Sequence, residues 1–505
     1  MASSRPLLSK SDSAQKLPSL DDLIEQYIGN FGWAQFFQSF LLSMAWFFDA
    51  QQTFITIFSD KQPTWHCTDQ LTCNSESDLC NLSNTSWSWD DPIYTSTVSE
   101  WNLQCSNSII AGLPSSAYFL GCVFGGLFLT TMADTSLGRK KLLLLSCLAM
   151  SIASLLTVLS TNIWVYTVLR FITGCGRSSV GGCALVLVSE IIGKRHRGQA
   201  GTIGFLWFTL GFLSLPGIAY LNRGHSWRTI YLFTSIPGIL FCVPVYLYVC
   251  ESPRWLLMQG REEEAVETLK KMATPSCGVR ELSFAKGKRE IERIDFFSAI
   301  KMLLQKRWAA QRLLAAMVVG FGVGIVYFGL PLGIQNLSVD LYLGVTLNAL
   351  MEIPAVLVSL FFIGKWQRKT SLLVFNTLSG VCSVLCALVS DRWEVLRLTL
   401  ELLSFIAAYI AFAVLLIFTL ELFPTCVRNS ALSIMRQAVT ISGVISPALI
   451  AAGKNVAFMS YGVFGLMIGF CGLFVVCLPE TKDDTFCDTM EEQEQKESGA
   501  SLNGV

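Results

Sequence analysis

A few ionisable residues stand inside long apolar runs, and any chemistry should be sought there first. An ionisable side chain at mid-membrane costs about 2.5–3.5 kcal/mol on insertion scales, so it must face an aqueous cavity or a partner. Asp49 lies near the middle of the first apolar run, with Trp46 and Thr53 three and four residues away on the same helical face. A carboxylate beside an aromatic ring could hold a quaternary ammonium by charge and by the negative ring surface. The competing reading is a structural pair with an arginine of the fourth run, Arg170 or Arg177. Glu352 stands just before Pro354, where the missing N–H frees a carbonyl and marks a bend beside a cavity. Glu401 is similar but nearer the end of its run, and ordinary interhelical hydrogen bonding competes for both. Asp49 and Glu352 are also candidates to carry a coupling proton, with Arg170 and Arg177 as partners, because a carboxyl withdrawn from water is easier to protonate.

Enzymatic chemistry has no visible seat. The three histidines, His66, His196 and His225, fall in or beside predicted loops, and no metal-ligating cluster or nucleophile with a base partner stands out. No catalytic residue, metal or cofactor is therefore expected. Without a Gly-rich loop ending in Gly-Lys-Ser/Thr, nucleotide binding is not expected either. Gly320, Gly322 and Gly324 lie inside an apolar span, where close helix packing explains them.

Such residues need long helices to position them. The 505 residues are 52% hydrophobic and 15% charged, with a mean hydropathy of +0.51, more apolar side chain than a soluble fold of this size buries. The expected class is an all-α polytopic membrane protein in contact with a lipid bilayer. A formal net charge of zero offers no basic excess for nucleic acid. Runs long enough to span a bilayer occur at about 34–58, 109–133, 142–160, 163–190, 199–221 and 227–249, then at 311–332, 339–363, 371–390, 395–421, 429–452 and 456–478. The organisation predicted is a polar segment 1–33, a six-helix bundle 34–250 containing a loop 59–108, a linker 251–310, a second bundle 311–478 and a tail 479–505. In the linker, Arg261 to Met272 places Ala265, Val266, Leu269 and Met272 on one face, an amphipathic helix expected to lie against a membrane surface.

The loop 59–108 is acidic and carries Cys67, Cys73, Cys80 and Cys105, together with the sequons Asn81-Leu-Ser and Asn84-Thr-Ser. It reads as an extracellular or lumenal loop, glycosylated at Asn81 and Asn84, with two disulfides whose pairing the spacing leaves open. Its only basic residue is Lys61, whereas Arg139 to Lys141, Lys194 to Arg197, and Lys365 to Lys369 crowd the short connections on the other side. The basic connections and both termini are expected to be cytoplasmic, in a plasma or vacuolar membrane.

An internal repeat follows from spacing. Arg139 and Arg368 lie 229 positions apart, Glu190 and Glu421 lie 231 apart, and Glu251 and Glu480 lie 229 apart. The chain therefore reads as twelve transmembrane helices in two six-helix parallel repeats, with a pathway between them. Asp134, Arg139, Glu190, Arg197, Glu251, Arg254, Glu421, Arg428 and Glu480 sit where acids and bases could close a gate, the expected pairs being Glu251 with Arg254 and Glu421 with Arg428.

Five motifs, Glu251-Ser-Pro-Arg-Trp-Leu-Leu257, Glu421-Leu-Phe-Pro-Thr-Cys-Val-Arg-Asn429, Glu100-Trp-Asn-Leu-Gln-Cys105, Leu347-Asn-Ala-Leu-Met-Glu-Ile-Pro354 and Leu478-Pro-Glu-Thr-Lys482, resemble the organic-ion branch of the major facilitator superfamily, most nearly the plant organic cation/carnitine transporters. The resemblance runs from about Phe31 to Lys482 and implies the major facilitator fold and solute movement without ATP hydrolysis. Two departures stand out. Thr130 replaces the first glycine of the signature after span two, and an extra residue separates Asp134 from Gly138-Arg-Lys140. In span eleven the neutral Thr440 stands where animal relatives place a charge, with Arg436 one turn earlier, so charge selectivity does not carry over from them.

The resemblance also matches Tyr327 to a family tyrosine facing the pathway, with simple packing as the competing reading. Carnitine, a fixed ammonium joined to a carboxylate, tests this inventory. Asp49, Trp46 and Tyr327 would serve the ammonium and Arg436 with Gln437 the carboxylate, with Thr53, Glu352 and Thr440 as further candidate substrate contacts. The expected function is carriage of a small organic cation or zwitterion by alternating access, with protons as a possible coupling ion. Organic anions, polyols or sugars are the alternative cargo, and a receptor or nutrient sensor on the same fold is the alternative class.

Overall fold

The computed structural model describes residues 32–68, 73, 79–83, 85–134, 137–192, 197–272, 296–337, 339–453, 458, 460–482, 487 and 489–495. Among them ten helices are long and apolar enough to cross a membrane. These are α2 (Ser108–Asp134), α3 (Arg139–Leu156), α4 (Ile163–Arg177, continuing as Val180–Ile191), α5 (Arg197–Leu221), α6 (Trp227–Tyr248), α7 (Arg307–Gly333), α8 (Leu341–Lys365), α9 (Arg368–Leu388), α10 (Glu394–Leu422) and α11 (Arg428–Ala452). α1 (Trp33–Phe54, continuing as Thr56–Ser59) and α12 (Tyr461–Gly472, ending in a 3₁₀ turn Leu473–Cys477) complete twelve. α1 is not among those ten for a physical reason: it turns Gln35, Gln38, Asp49, Gln51, Gln52 and Thr53 inward, where protein rather than lipid surrounds them.

Local signals start these helices where the sequence supplies them. Asn162 accepts hydrogen bonds from the N–H groups of Trp164 and Val165 at 3.0 Å each, and Asp340 from Leu343 at 2.8 Å, so α4 and α8 begin with side-chain caps. Within the first half α1 packs on α5, α2 on α4, and α3 on α4 and α6; in the second, α7 packs on α11 and α12, and α9 on α10 and α12. The most extensive packing between the halves is of α2 with α11 and α5 with α8. The first demands glycine, because a Cβ on Gly112 would lie 2.9 Å from the Pro447 carbonyl.

The loop between α1 and α2 defines one face of the molecule, called here the loop face. Its hairpin pairs β1 (Trp65–Cys67) with β2 (Trp87–Trp89), antiparallel, with His66 opposite Ser88. Disulfides join Cys67 to Cys73 and Cys80 to Cys105. Glu100 ties the loop to the first half by accepting from Trp227 Nε1 at 2.7 Å and Arg228 Nη1 at 2.6 Å. Of the two sequons, Asn81 is described and Asn84 lies outside the described residues.

At the opposite face the two halves repeat one device. Glu251 accepts from the backbone N–H groups of Arg139 and Lys140 at 3.0 Å, and Glu480 from those of Arg368 and Lys369 at 2.9 and 3.0 Å. Each carboxylate thus caps the N-terminus of the third helix of its half, where the helix dipole favours negative charge. The expected pairs are corrected: Glu251 does not bond Arg254, and Glu421 holds Arg368 at 3.1 Å, leaving Arg428 Nε to donate to the Phe423 carbonyl. Glu190 lies 3.8 Å from Arg139 as the looser counterpart. The side chains of Asp134 and Arg197 lie outside the described residues. The linker helix Glu262–Met272 forms as expected, but Ala265 packs on Trp255 and Leu256 and Met272 joins the core of the first half, so it docks on protein rather than on a membrane surface.

Replacing Glu251 or Glu480 by Gln removes the charge but not the acceptor. Each variant should lose about 1–2 kcal/mol, and the two losses should be similar. Thermal melting of both variants in detergent checks this.

Candidate functional site

The charged centre of the first half is a pair. Arg177 Nε, at the break in α4, donates to Asp49 Oδ1 at 2.5 Å, and both side chains are withdrawn from the surface. Thr53 Oγ1 bonds the Asp49 carbonyl at 2.9 Å, lies 3.3 Å from its carboxylate, and meets the Tyr118 hydroxyl at 3.0 Å. Of the two arginines open to Asp49 in the fourth span, Arg177 is the one that pairs with it. Arg170 is not its partner: it donates to the Gln52 carbonyl at 3.1 Å and stacks 4.2 Å over the Tyr118 ring. Trp46 shares Asp49's face but its ring rests by Gly181 and Gly204 and against Phe205 and Phe208 of α5.

The second half supplies the aromatic surface. Tyr327 of α7 lies parallel to Phe405 and Phe412 of α10, with centroids 5.8 and 5.7 Å away, and Tyr409 and Phe328 close the sides. Its hydroxyl donates to Glu352 Oε1 at 3.1 Å, and Thr209 of α5 donates to Oε2 at 2.7 Å. Glu352 is fully buried, so this three-residue link is the hydrogen-bonded seam between α5 and α8 across the two halves. Phe405, Tyr409 and Phe412 were legible as an i, i+4, i+7 aromatic stripe on α10, a spacing that the search for ionisable residues passed over.

Arg436 completes the centre from α11. It is half-buried and within electrostatic reach of Arg177 and Asp49, yet among the described residues its guanidinium makes no hydrogen bond or ion pair. Tyr327 is in turn within reach of Arg177, which places the aromatic group and the free guanidinium around the same charge pair. Gln437 instead fills the space beside Gly126 of α2, and Thr440 Oγ1 donates to the Arg436 carbonyl at 3.0 Å, so the Thr440 hydroxyl is spent on its own helix.

Toward the loop face the Phe119–Phe328 contact at 4.7 Å and the Thr56–Ser115 bond at 2.9 Å separate this centre from an outer cavity of about 400 Å³. Asp60 lines it and accepts from Ser59, Tyr166 and Thr97 on one oxygen. Burial lifts the Asp60 carboxyl above the usual carboxylate range, against the opposing pull of those hydrogen bonds. Phe58 and Tyr220 of the first half both meet Tyr342 of α8 there, at 5.7 Å. Among the described residues, the hydrogen bonds and ring contacts that join the halves lie at mid-depth and toward the loop face.

Residues 32–492 match the family model described as sugar (and other) transporter. The chain is 53% identical to organic cation/carnitine transporter 3 of Arabidopsis thaliana over 98% of each chain, and 50% identical to organic cation/carnitine transporter 2 of the same plant over 99% of each. The fold is similar to the inward-open xylose transporter XylE from E. coli, with a TM-score of 0.62 at 16% identity, covering 91% of this chain and 98% of that one.

Arg177→Leu leaves the Asp49 carboxylate unpaired, and the expected loss is about 3–5 kcal/mol. Combining it with Asp49→Asn should restore most of the lost melting temperature. No restoration would mean that Arg177 is held for another reason.

Proposed function

The chain belongs to the sugar (and other) transporter family of the major facilitator superfamily, and on that premise we propose that it carries small organic cations and zwitterions such as carnitine across a membrane by alternating access. It is a multi-pass membrane protein whose near relatives bear the name organic cation/carnitine transporter. Catalysis has no part in this reading. The observation that carries it is the unpaired Arg436 guanidinium beside a neutralised Asp49–Arg177 pair, with the Tyr327 aromatic group on the other side.

Charge arithmetic then assigns the ends of the substrate. Asp49 and Arg177 pair with each other, both Glu352 oxygens are occupied by Thr209 and Tyr327, and Arg436 is the one of these charged groups without a side-chain partner. A carboxylate suits Arg436, which offers a planar fork of donors. The ammonium suits the faces of Tyr327, Phe405 and Phe412, whose ring quadrupoles attract cations. Glu352 lies behind Tyr327 and strengthens that attraction through the phenol it binds. Trp46, Thr53, Gln437 and Thr440 shape the cavity without donating to the solute.

The acidic caps Glu251 and Glu480 and the pairs of Arg139 with Glu190 and Arg368 with Glu421 serve as the cytoplasmic gate, with Arg254 and Arg428 beside it. This reading puts the loop, its disulfides and the sequons outside the cell or in a vacuolar lumen, and both termini in the cytoplasm. Protons are the proposed coupling ion.

Arg436→Ala should raise the KM for carnitine by about 10- to 100-fold, the worth of a charge-assisted hydrogen bond at 1.5–3 kcal/mol. Choline, which lacks the carboxylate, should compete for uptake as well as in the wild type. Labelled-carnitine uptake in cells lacking their own carrier measures both, and unchanged carnitine KM with normal surface expression would sink the assignment.

A further inference from the structure

Three polar atoms deep in the second half have no partner. Glu401 of α10 is fully buried; Asn348 Nδ2 of α8 donates to its Oε2 at 3.2 Å, while its Oε1 is unsatisfied. Asn348 Oδ1 is unsatisfied as well, and so is the hydroxyl of Tyr461, the first residue of α12, which lies within electrostatic reach of Glu401. Unpaired polar groups on this scale are rare in buried sites and ask for an explanation in function or in an absent small ligand. An ionised carboxylate with one bare oxygen is costly here, and a proton on Oε1 removes the charge while turning an orphan acceptor into a donor.

The other groups facing this carboxyl do not replace the proton. Arg397 sits one turn toward the loop face on the same helix and is within reach of Tyr461 and Cys386, but Glu401 has no ion pair with it. Cys386 of α9 donates to the Arg397 carbonyl at 3.4 Å, and Gly333 of α7 lies beside the Tyr461 ring. The first half holds the repeat-related positions: Arg170 is 231 residues before Glu401, as Glu190 is before Glu421, while Tyr118 and Tyr231 are 230 before Asn348 and Tyr461. There the buried charge is a permanent cation stacked on Tyr118; here it is titratable.

We propose that Glu401 is a proton-binding residue separate from the Asp49–Tyr327–Arg436 cavity, and that its loading from the loop face drives the movement of α8. Position supports both halves of that statement. Seven residues separate Glu401 from Glu394 at the start of α10, about 10 Å at 1.5 Å per residue, so the site lies within reach of the loop face. Asn348 and Glu352 lie one turn apart on α8, so the bond to Glu401 adjoins the Thr209–Glu352 seam between the halves. Loading Glu401 resets the α8–α10 contact one turn from the seam that must part when the halves rock.

The proposal rests on the carrier reading, and two readouts on the purified full chain keep the two apart. In proteoliposomes, Glu401→Gln should exchange labelled carnitine with a KM within about twofold of the wild type. Accumulation driven by an imposed pH gradient should fall to the level seen without one. In detergent, the infrared difference spectrum between acid and alkaline medium should contain a protonated-carboxyl band that Glu401→Gln removes. Full gradient-driven accumulation by Glu401→Gln overturns the proposal. So does an infrared spectrum identical in both proteins. Wild-type protein that exchanges no carnitine refutes the carrier reading instead, while the infrared band still decides whether Glu401 titrates.

Discussion

Neither Asp49 nor Arg177 can stand alone in a low-dielectric interior, and their 2.5 Å pairing constrains the other polar groups of the centre around it. The pair sits where α4 breaks between Arg177 and Val180, so the break and the charge share one location. On the proposed reading, with Asp49 paired, cation recognition falls to ring faces, and Arg436 is the charge left without a side-chain partner. Glu352 shows the same logic, since a carboxyl bonded on both oxygens serves as a joint between α5 and α8.

The duplicated device at the opposite face works through backbone. A carboxylate accepting two N–H groups at a helix start holds a direction as well as a distance, which a flexible Lys or Arg side chain cannot do. Glu251 and Glu480 therefore set the angle of α3 and α9, and the Arg368–Glu421 pair adds a side-chain latch to the second copy. In the first copy the corresponding distance, Glu190 to Arg139, is 3.8 Å.

Much of this was legible in the residues. Twelve spans, the repeat offset and the segment carrying four cysteines follow from apolar length and spacing, because lipid leaves the backbone little choice but helix. Arg177 was one of two arginines that Asp49 could reach; helical periodicity gives the face but not which of two turns comes close enough. The gate pairs were misassigned for a different reason. Glu251 and Arg254 are neighbours in sequence, while the true partners of Glu251 are peptide N–H groups 111 and 112 residues away, which no side-chain pattern announces. The α10 aromatic stripe is readable from its spacing, but an aromatic stripe on an apolar helix equally suits plain packing. The amphipathic linker helix has the face predicted for it, yet amphipathicity says only that a face is covered and not by what.

Among the described residues, the polar ties of the disulfide-bonded loop run to the first half. Glu100 grips Trp227 and Arg228, Thr97 reaches Asp60, and Arg228 also holds the Val158 and Ser160 carbonyls. Its inner edge, through Val98, Leu103, Gln104 and Ser106, roofs the outer cavity whose far wall is Leu332, Gln335 and Pro447 of the second half. The loop consequently travels as a visor on the first bundle, and its gap from the far wall is a gauge of how far the two have tilted. A binder wedged under that visor would stall the cycle without touching the solute.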